Sequence, residues 1–185
     1  MIAGDPFLSV FTRVNQRPQA LYRNVTSLAD QSAPDYEQIF LHDGQSRGIA
    51  WANERLRWEG FRARGKYVMV LDDDDLALPG LIDEVSFAAM TNEWPDMIIW
   101  RMDHGAAGLL PDEQVWNNWP IHGRIGMSCW AVRRDVWAAS TRFWIEAESG
   151  DYHWLKEVWP TLKSIYWLDK TLTACQSGRS WGDTE

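Results

Sequence analysis

The chain has few features that would place it in a specialised class. Its two cysteines, Cys129 and Cys175, lie far apart and form no Cys-x-x-Cys pair, so neither a zinc site nor a disulfide framework is expected, and a reduced cytoplasmic setting fits best. No stretch approaches the ~18 consecutive apolar residues that a bilayer-spanning helix needs. The opening MIAGDPF has neither a basic region nor an apolar one, so a soluble, unprocessed protein is expected. There is no internal repeat and no low-complexity tract. An excess of positive charge is also missing: the net charge is -8, which argues against a protein that holds nucleic acid mainly through its phosphates.

At 185 residues the chain suits a single domain (1–185) with one core, burying on the order of 70% of its unfolded surface. Thirteen of its residues are tryptophan, and most of them fall after Trp100. Such rings fill cores, but they also suit the flat faces of sugars and bases. A locally basic run, Arg47, Arg55, Arg57, Arg62, Arg64 and Lys66, reads as a solvated helix face in preference to a phosphate site.

The strongest local signal is KYVMVLDDDDLALPG, from Lys66 to Gly80. Tyr67 to Leu71 is a short apolar run typical of a strand buried on both faces. Four carboxylates follow at once, Asp72, Asp73, Asp74 and Asp75. Neighbouring unit charges repel by roughly 1 kcal/mol even in bulk water, and by more beside a protein wall, so a cation is expected there. If the strand continues, Asp72 and Asp74 point one way and Asp73 the other, and the alternate pair would grip one divalent cation. Hard oxygen ligands favour magnesium or manganese. The other reading is a solvated acidic turn in which one aspartate caps the helix after Pro79.

Around this stretch the chain alternates. Phe7 to Val14 reads as a strand, and Pro18 opens a helix with Leu21, Val25, Leu28 and Ala29 on one face. Gln38 to Leu41 is a second strand ending at His42-Asp43-Gly44. Helices are expected over Ile49 to Arg62 and Gly80 to Met90. Strands are expected over Met97 to Met102, Gly126 to Val132 and Lys163 to Leu168, and a helix enters at ESGDYHWLKEVW, Glu148 to Trp159. Such alternation predicts an α/β domain with a mostly parallel central sheet flanked by helices. Ligands in these sheets bind beyond the carboxyl ends of the strands, where Thr12, Asp43 and the aspartate cluster converge.

The order of these features resembles the family 2 glycosyltransferases of the GT-A fold. The matching motifs are Thr12 to Asn15, Asp43-Gly44, Asp72-Asp73-Asp74 followed by Pro79, Asp151 in SGDYHWL, and the closing YWLDKTLTACQSGRS. The resemblance runs from Phe7 to about Ser180. The interval between Asp43 and Asp72 is shorter than the family's, so an edge strand of the nucleotide-binding half is expected to be absent. Gly150 stands where the family usually has an acidic residue, and the terminal segment offers no histidine as an extra metal ligand.

The resemblance implies transfer of a sugar from a nucleotide diphosphate donor, a UDP-sugar, to the hydroxyl of a glycan or other hydroxylated polymer, with inversion. It assigns a nucleotide-sugar and metal-binding half to about residues 7–95 and an acceptor half to about 96–180. Thr12, Asn15, Asp43, Asp72 and Asp73 would bind the donor. Asp72 and Asp74 would hold Mn2+ or Mg2+, and Asp151 would be the general base. Asp151 also suits a plain helix cap. Trp116, Trp119 and the Gly105 to Gly108 segment are expected to meet the acceptor. Two other classes fit part of the pattern: a magnesium-dependent phosphohydrolase, and a non-catalytic tryptophan-rich carbohydrate-binding module that would leave the aspartates unexplained.

Overall fold

The computed structural model describes residues 4–42 and 47–176; Asp43, Gly44 and the end of the chain from residue 177 lie outside them. The first strand, β1 (Leu8–Val14), is buried along its whole length. Next come helix α1 (Pro18–Ala29), β2 (Tyr36–His42), helix α2 (Gly48–Glu59) and β3 (Tyr67–Val70). Proline at the first position starts α1, where its missing N–H costs nothing. Gly65 precedes β3 because the chain passes hard against β1: a Cβ there would lie 2.4 Å from the Ser9 backbone nitrogen.

After β3 the chain turns through the aspartates into β4 (Asp75–Ala77), then helix α3 (Leu81–Thr91), β5 (Met97–Asp103), β6 (Leu109–Leu110), β7 (Trp130–Arg133), helix α4 (Arg134–Ser140), helix α5 (Gly150–Val158) and β8 (Ile165–Cys175). The eight strands form one sheet in the order β2-β1-β3-β7-β5-β8-β4, with β6 on β5. β1, β2, β3, β5 and β8 run in one direction, while β7, β4 and β6 oppose them. The expected mostly parallel sheet is therefore mixed. β2 is its outer strand beside β1, in keeping with a shortened nucleotide side. β4, from the first half of the chain, closes the far edge against β8, so the two halves share the sheet.

Two expected strands depart most from their bounds. Met127–Cys129 is a 3-10 turn rather than the start of a strand, and this turn carries Ser128 beneath the aspartates. β8 continues well past Leu168, with bulges opposite Arg101, and brings Cys175 opposite Asp75.

Half of the twelve described tryptophans are core. Trp100, Trp130, Trp137, Trp144 and Trp154 are fully buried. Trp154 of α5 lies between Trp130 (centroids 4.9 Å apart, planes 8° apart) and Trp144 (5.3 Å, 13°), an offset stack that fixes α5 against the sheet. No helix among the described residues is long and apolar enough to cross a membrane.

Candidate functional site

The aspartate segment is a turn and not a continued strand. β3 ends at Val70, and the Asp75 N–H bonds back to the Asp72 carbonyl at 2.9 Å. The alternation expected to aim Asp72 and Asp74 together therefore does not apply. Remote side chains hold the turn instead. The Asn24 amide donates to the carbonyls of Asp72 (2.8 Å) and Asp75 (2.9 Å). The Gln176 amide donates to the Asp73 carbonyl at 3.2 Å, and its N–H to the Asp74 carbonyl at 2.9 Å. Thr12 belongs to this scaffold: its hydroxyl accepts from Gln38 at 2.8 Å, the same amide that reaches Asn24. Thr12 is fully buried, so it positions the turn and has no surface with which to meet a donor.

Two arginines, which the sequence reading did not single out, neutralise the carboxylates. Arg13 emerges from β1 with a side chain only 8% exposed and grips Asp72 through Nε and a terminal nitrogen. Its third nitrogen donates to Asn53 of α2 at 2.5 Å, and Asn53 in turn donates to the Ala147 carbonyl at 2.8 Å. Burial opposes its charge, but Asp72, and more distantly Asp151 and Asp75, outweigh this and raise its pKa. Arg17, just before α1, donates to both Asp73 and Asp74. An arginine inside the apolar run LSVFTRV was the readable signal, since a buried guanidinium requires an anionic partner.

The four aspartates differ. Asp72 is partly exposed and doubly held by Arg13. Asp73 has no exposed side-chain surface and accepts from Arg17 and, at 2.7 Å, from the Asn15 N–H. Burial raises its pKa against these donors, and from that position it braces the loop. Asp74 is the most open of the first three, at 31%, with its pKa raised by burial and by the Asp72 charge against Arg17. Asp75 is buried, accepts from the Ser128 hydroxyl at 2.5 Å, and is pushed up to about 8 by burial first and the Asp72 charge second.

Asp151 approaches from α5. Ser149 holds the N-cap position with no side-chain cap bond, and Asp151 lies in the first turn, where it still meets one of the helix's otherwise unpaired N–H groups. Its carboxylate accepts from the Tyr152 N–H at 2.7 Å. Burial raises its pKa, Arg13 and that N–H oppose the rise, and the Asp72 charge adds to it. Asp151, Arg13 and Asp72 thus form one electrostatic unit. Gly150 is demanded by packing: a Cβ would lie 2.8 Å from the Asn53 amide nitrogen and 2.9 Å from the Ile145 carbonyl. An acidic side chain has no room there.

The expected acceptor residues separate. Trp116 is half-buried beneath Arg101, 3.7 Å from the guanidinium to the ring centroid. Trp119 is 47% exposed but packs on Trp159, at the far end of α5 from Asp151. The same loop then reaches His122, which packs edge-on against Tyr152 at 5.2 Å, next to Asp151. Gly105–Ala107 forms an exposed 3-10 turn at the end of β5. Asn15 is exposed beside the turn, and Asp43 lies outside the described residues.

No protein-family model and no curated protein matches the chain. Among solved structures, S. aureus TarS 1–349 in complex with UDP-GlcNAc superimposes with a TM-score of 0.72 at 12% identity, covering 94% of this chain and 59% of that one. A glycosyltransferase involved in glycosylation of the major capsid of PBCV-1 gives 0.60 at 12% identity, covering 94% and 96%. A197 from STIV gives 0.58 at 16% identity, covering 88% and 81%. The chain spans about three fifths of the TarS 1–349 chains it matches. The mixed sheet, the aspartate turn beyond β3 and these superpositions together give the chain a shortened GT-A-like glycosyltransferase fold.

Proposed function

We propose that the chain transfers a sugar, with inversion, from a nucleotide diphosphate donor to an acceptor hydroxyl. The observation that carries this reading is the juxtaposition, through Arg13, of the Asp72 to Asp74 turn with Asp151 at the carboxyl ends of β1 and β3. UDP is the favoured nucleotide because the TarS neighbours were solved with UDP-GlcNAc and UDP.

A divalent cation suits the donor set. Asp74 presents the most open carboxylate of the first three aspartates, and its pKa is raised by burial first and by the neighbouring Asp72 charge second. Among the described residues there is no group of three side chains ready to enclose a metal. Magnesium or manganese would need only one or two of these carboxylates, completing its shell with water and substrate phosphates. Asp74 and Asp72 would hold the ion, and it would supply positive charge to the departing diphosphate.

The remaining chemistry belongs to the chain. Asn15 and Asp72 line the donor side, with Asp43 as a further donor contact. Asp73 and Thr12 keep the turn in place. Asp151 takes the proton from the attacking hydroxyl, and burial moves its pKa toward the working range of a general base. Incubation with a panel of nucleotide sugars and Mn2+ tests the reading. Release of nucleoside diphosphate with sugar transfer or sugar release supports it. Release of inorganic phosphate would indicate a phosphohydrolase, and no turnover with any donor would indicate a binding module.

A further inference from the structure

Arg17 occupies the position that a cation at Asp74 needs. One terminal nitrogen donates to Asp74 and the other to Asp73. These partners are unequal, since Asp73 is fully buried and pinned by the Asn15 N–H, whereas Asp74 is open. The guanidinium is also incompletely satisfied, because its Nε–H is buried without an acceptor. Arg17 stands at the start of α1, where the following Pro18 restricts its backbone.

We propose that Arg17 and the divalent cation hold Asp74 alternately, and that Arg17, displaced from Asp74 but still anchored on Asp73, becomes the cationic clamp for the donor's diphosphate. A metal ion on Asp74 stands about 2 Å from its oxygen, which puts it within a few ångströms of a guanidinium bonded to the same carboxylate. Two cations so close repel strongly in a half-buried site. The bond to Asp74 gives way, since Asp73 retains the second terminal nitrogen. The freed edge of the guanidinium then faces the anionic ligand that accompanies the metal, and its planar fork matches phosphate oxygens. The diphosphate clause rests on the transferase reading; the competition for Asp74 does not.

The test uses the full chain and two variants, Arg17→Gln and Arg17→Lys. Mn2+ binding without nucleotide is followed by the electron paramagnetic resonance of free Mn2+, and UDP binding at saturating Mn2+ by calorimetry. Arg17→Gln is expected to bind Mn2+ alone about 3- to 10-fold more tightly and to bind UDP about 10-fold more weakly. Arg17→Lys holds one carboxylate at a time and should change both in the same directions by smaller factors, which keeps the test open if the Gln variant does not fold. Unchanged or weaker Mn2+ binding in folded variants overturns the proposal, because a merely structural bridge would not compete with the metal. If Mn2+ binding tightens while the wild type binds no UDP, the competition stands and the transferase reading fails.

Discussion

Replacing Asp75 by Asn should change how stability depends on pH more than it changes stability itself. Asp75 sits under the turn, 7% exposed, accepting from Ser128. Burial is the main cause that pushes it up to about 8, with added repulsion from Asp72 and Asp74, whereas an unfolded aspartate titrates near 3.9. Between those values the folded chain keeps a proton that the unfolded chain has released. The sign follows: this contribution is complete below about pH 4 and is lost as pH rises through about 8. At about 1.4 kcal/mol per pH unit, moving from about pH 5 to about 7.5 removes roughly 3 kcal/mol from the wild type through this group. Asn is a neutral mimic of the protonated acid and can still accept from Ser128, so at about pH 5 the variant should lie within about 1 kcal/mol of wild type. Urea denaturation at a series of pH values measures both curves. The wild type should lose stability with rising pH more steeply than Asp75→Asn, and parallel curves would refute the buried-acid assignment.

Asp151→Asn should keep its melting temperature and UDP affinity but lose transfer by ~100-fold or more; near-normal transfer would move suspicion to Glu148 or Glu146. Wild-type kcat should rise with pH as Asp151 ionises, with a midpoint above the ordinary aspartate range, since burial raises it. Gly150→Ala forces a Cβ to within 2.8 Å of the Asn53 amide. It should cost about 1 to 3 kcal/mol in thermal or chemical unfolding. His122→Ala should raise the acceptor KM by about 3- to 10-fold while Trp119→Ala changes it less, because His122 packs on Tyr152 beside Asp151 and a stacking platform acts only within contact range; steady-state kinetics with the acceptor varied distinguishes them.

What the sequence made legible was the part with a local cause. The apolar run of β3, the proline start of α1 and the glycine-led entry of α5 each carry their own signal. The aspartate turn does not, because Asn24 and Gln176 hold it from α1 and from the end of β8. Strand alternation aims Asp72 and Asp74 along a strand that stops at Val70, and the alternative of an acidic turn is nearer the structure, although the helix after Pro79 is capped by Gly80 and by no aspartate side chain. β8 runs beyond the expected end at Leu168: Asp169, Lys170 and Thr171 are exposed strand positions, and the strand resumes burial at Leu172 and Thr173. Thr12 was drawn to the ligand by its motif, while burial and Gln38 assign it to the scaffold. Opposed pairing of β7 and β4 follows from crossovers that no local pattern records.

The central claim is that the aspartate turn receives a nucleotide diphosphate together with a divalent cation. A crystal structure of the chain with UDP and Mn2+ tests it most directly. The account predicts anomalous density for Mn2+ at Asp74, the diphosphate beside it with Arg17 turned toward the phosphates, and the nucleoside on the β1 and β2 side. UDP bound away from this turn, or Mn2+ absent from Asp74 when UDP is bound, would contradict it.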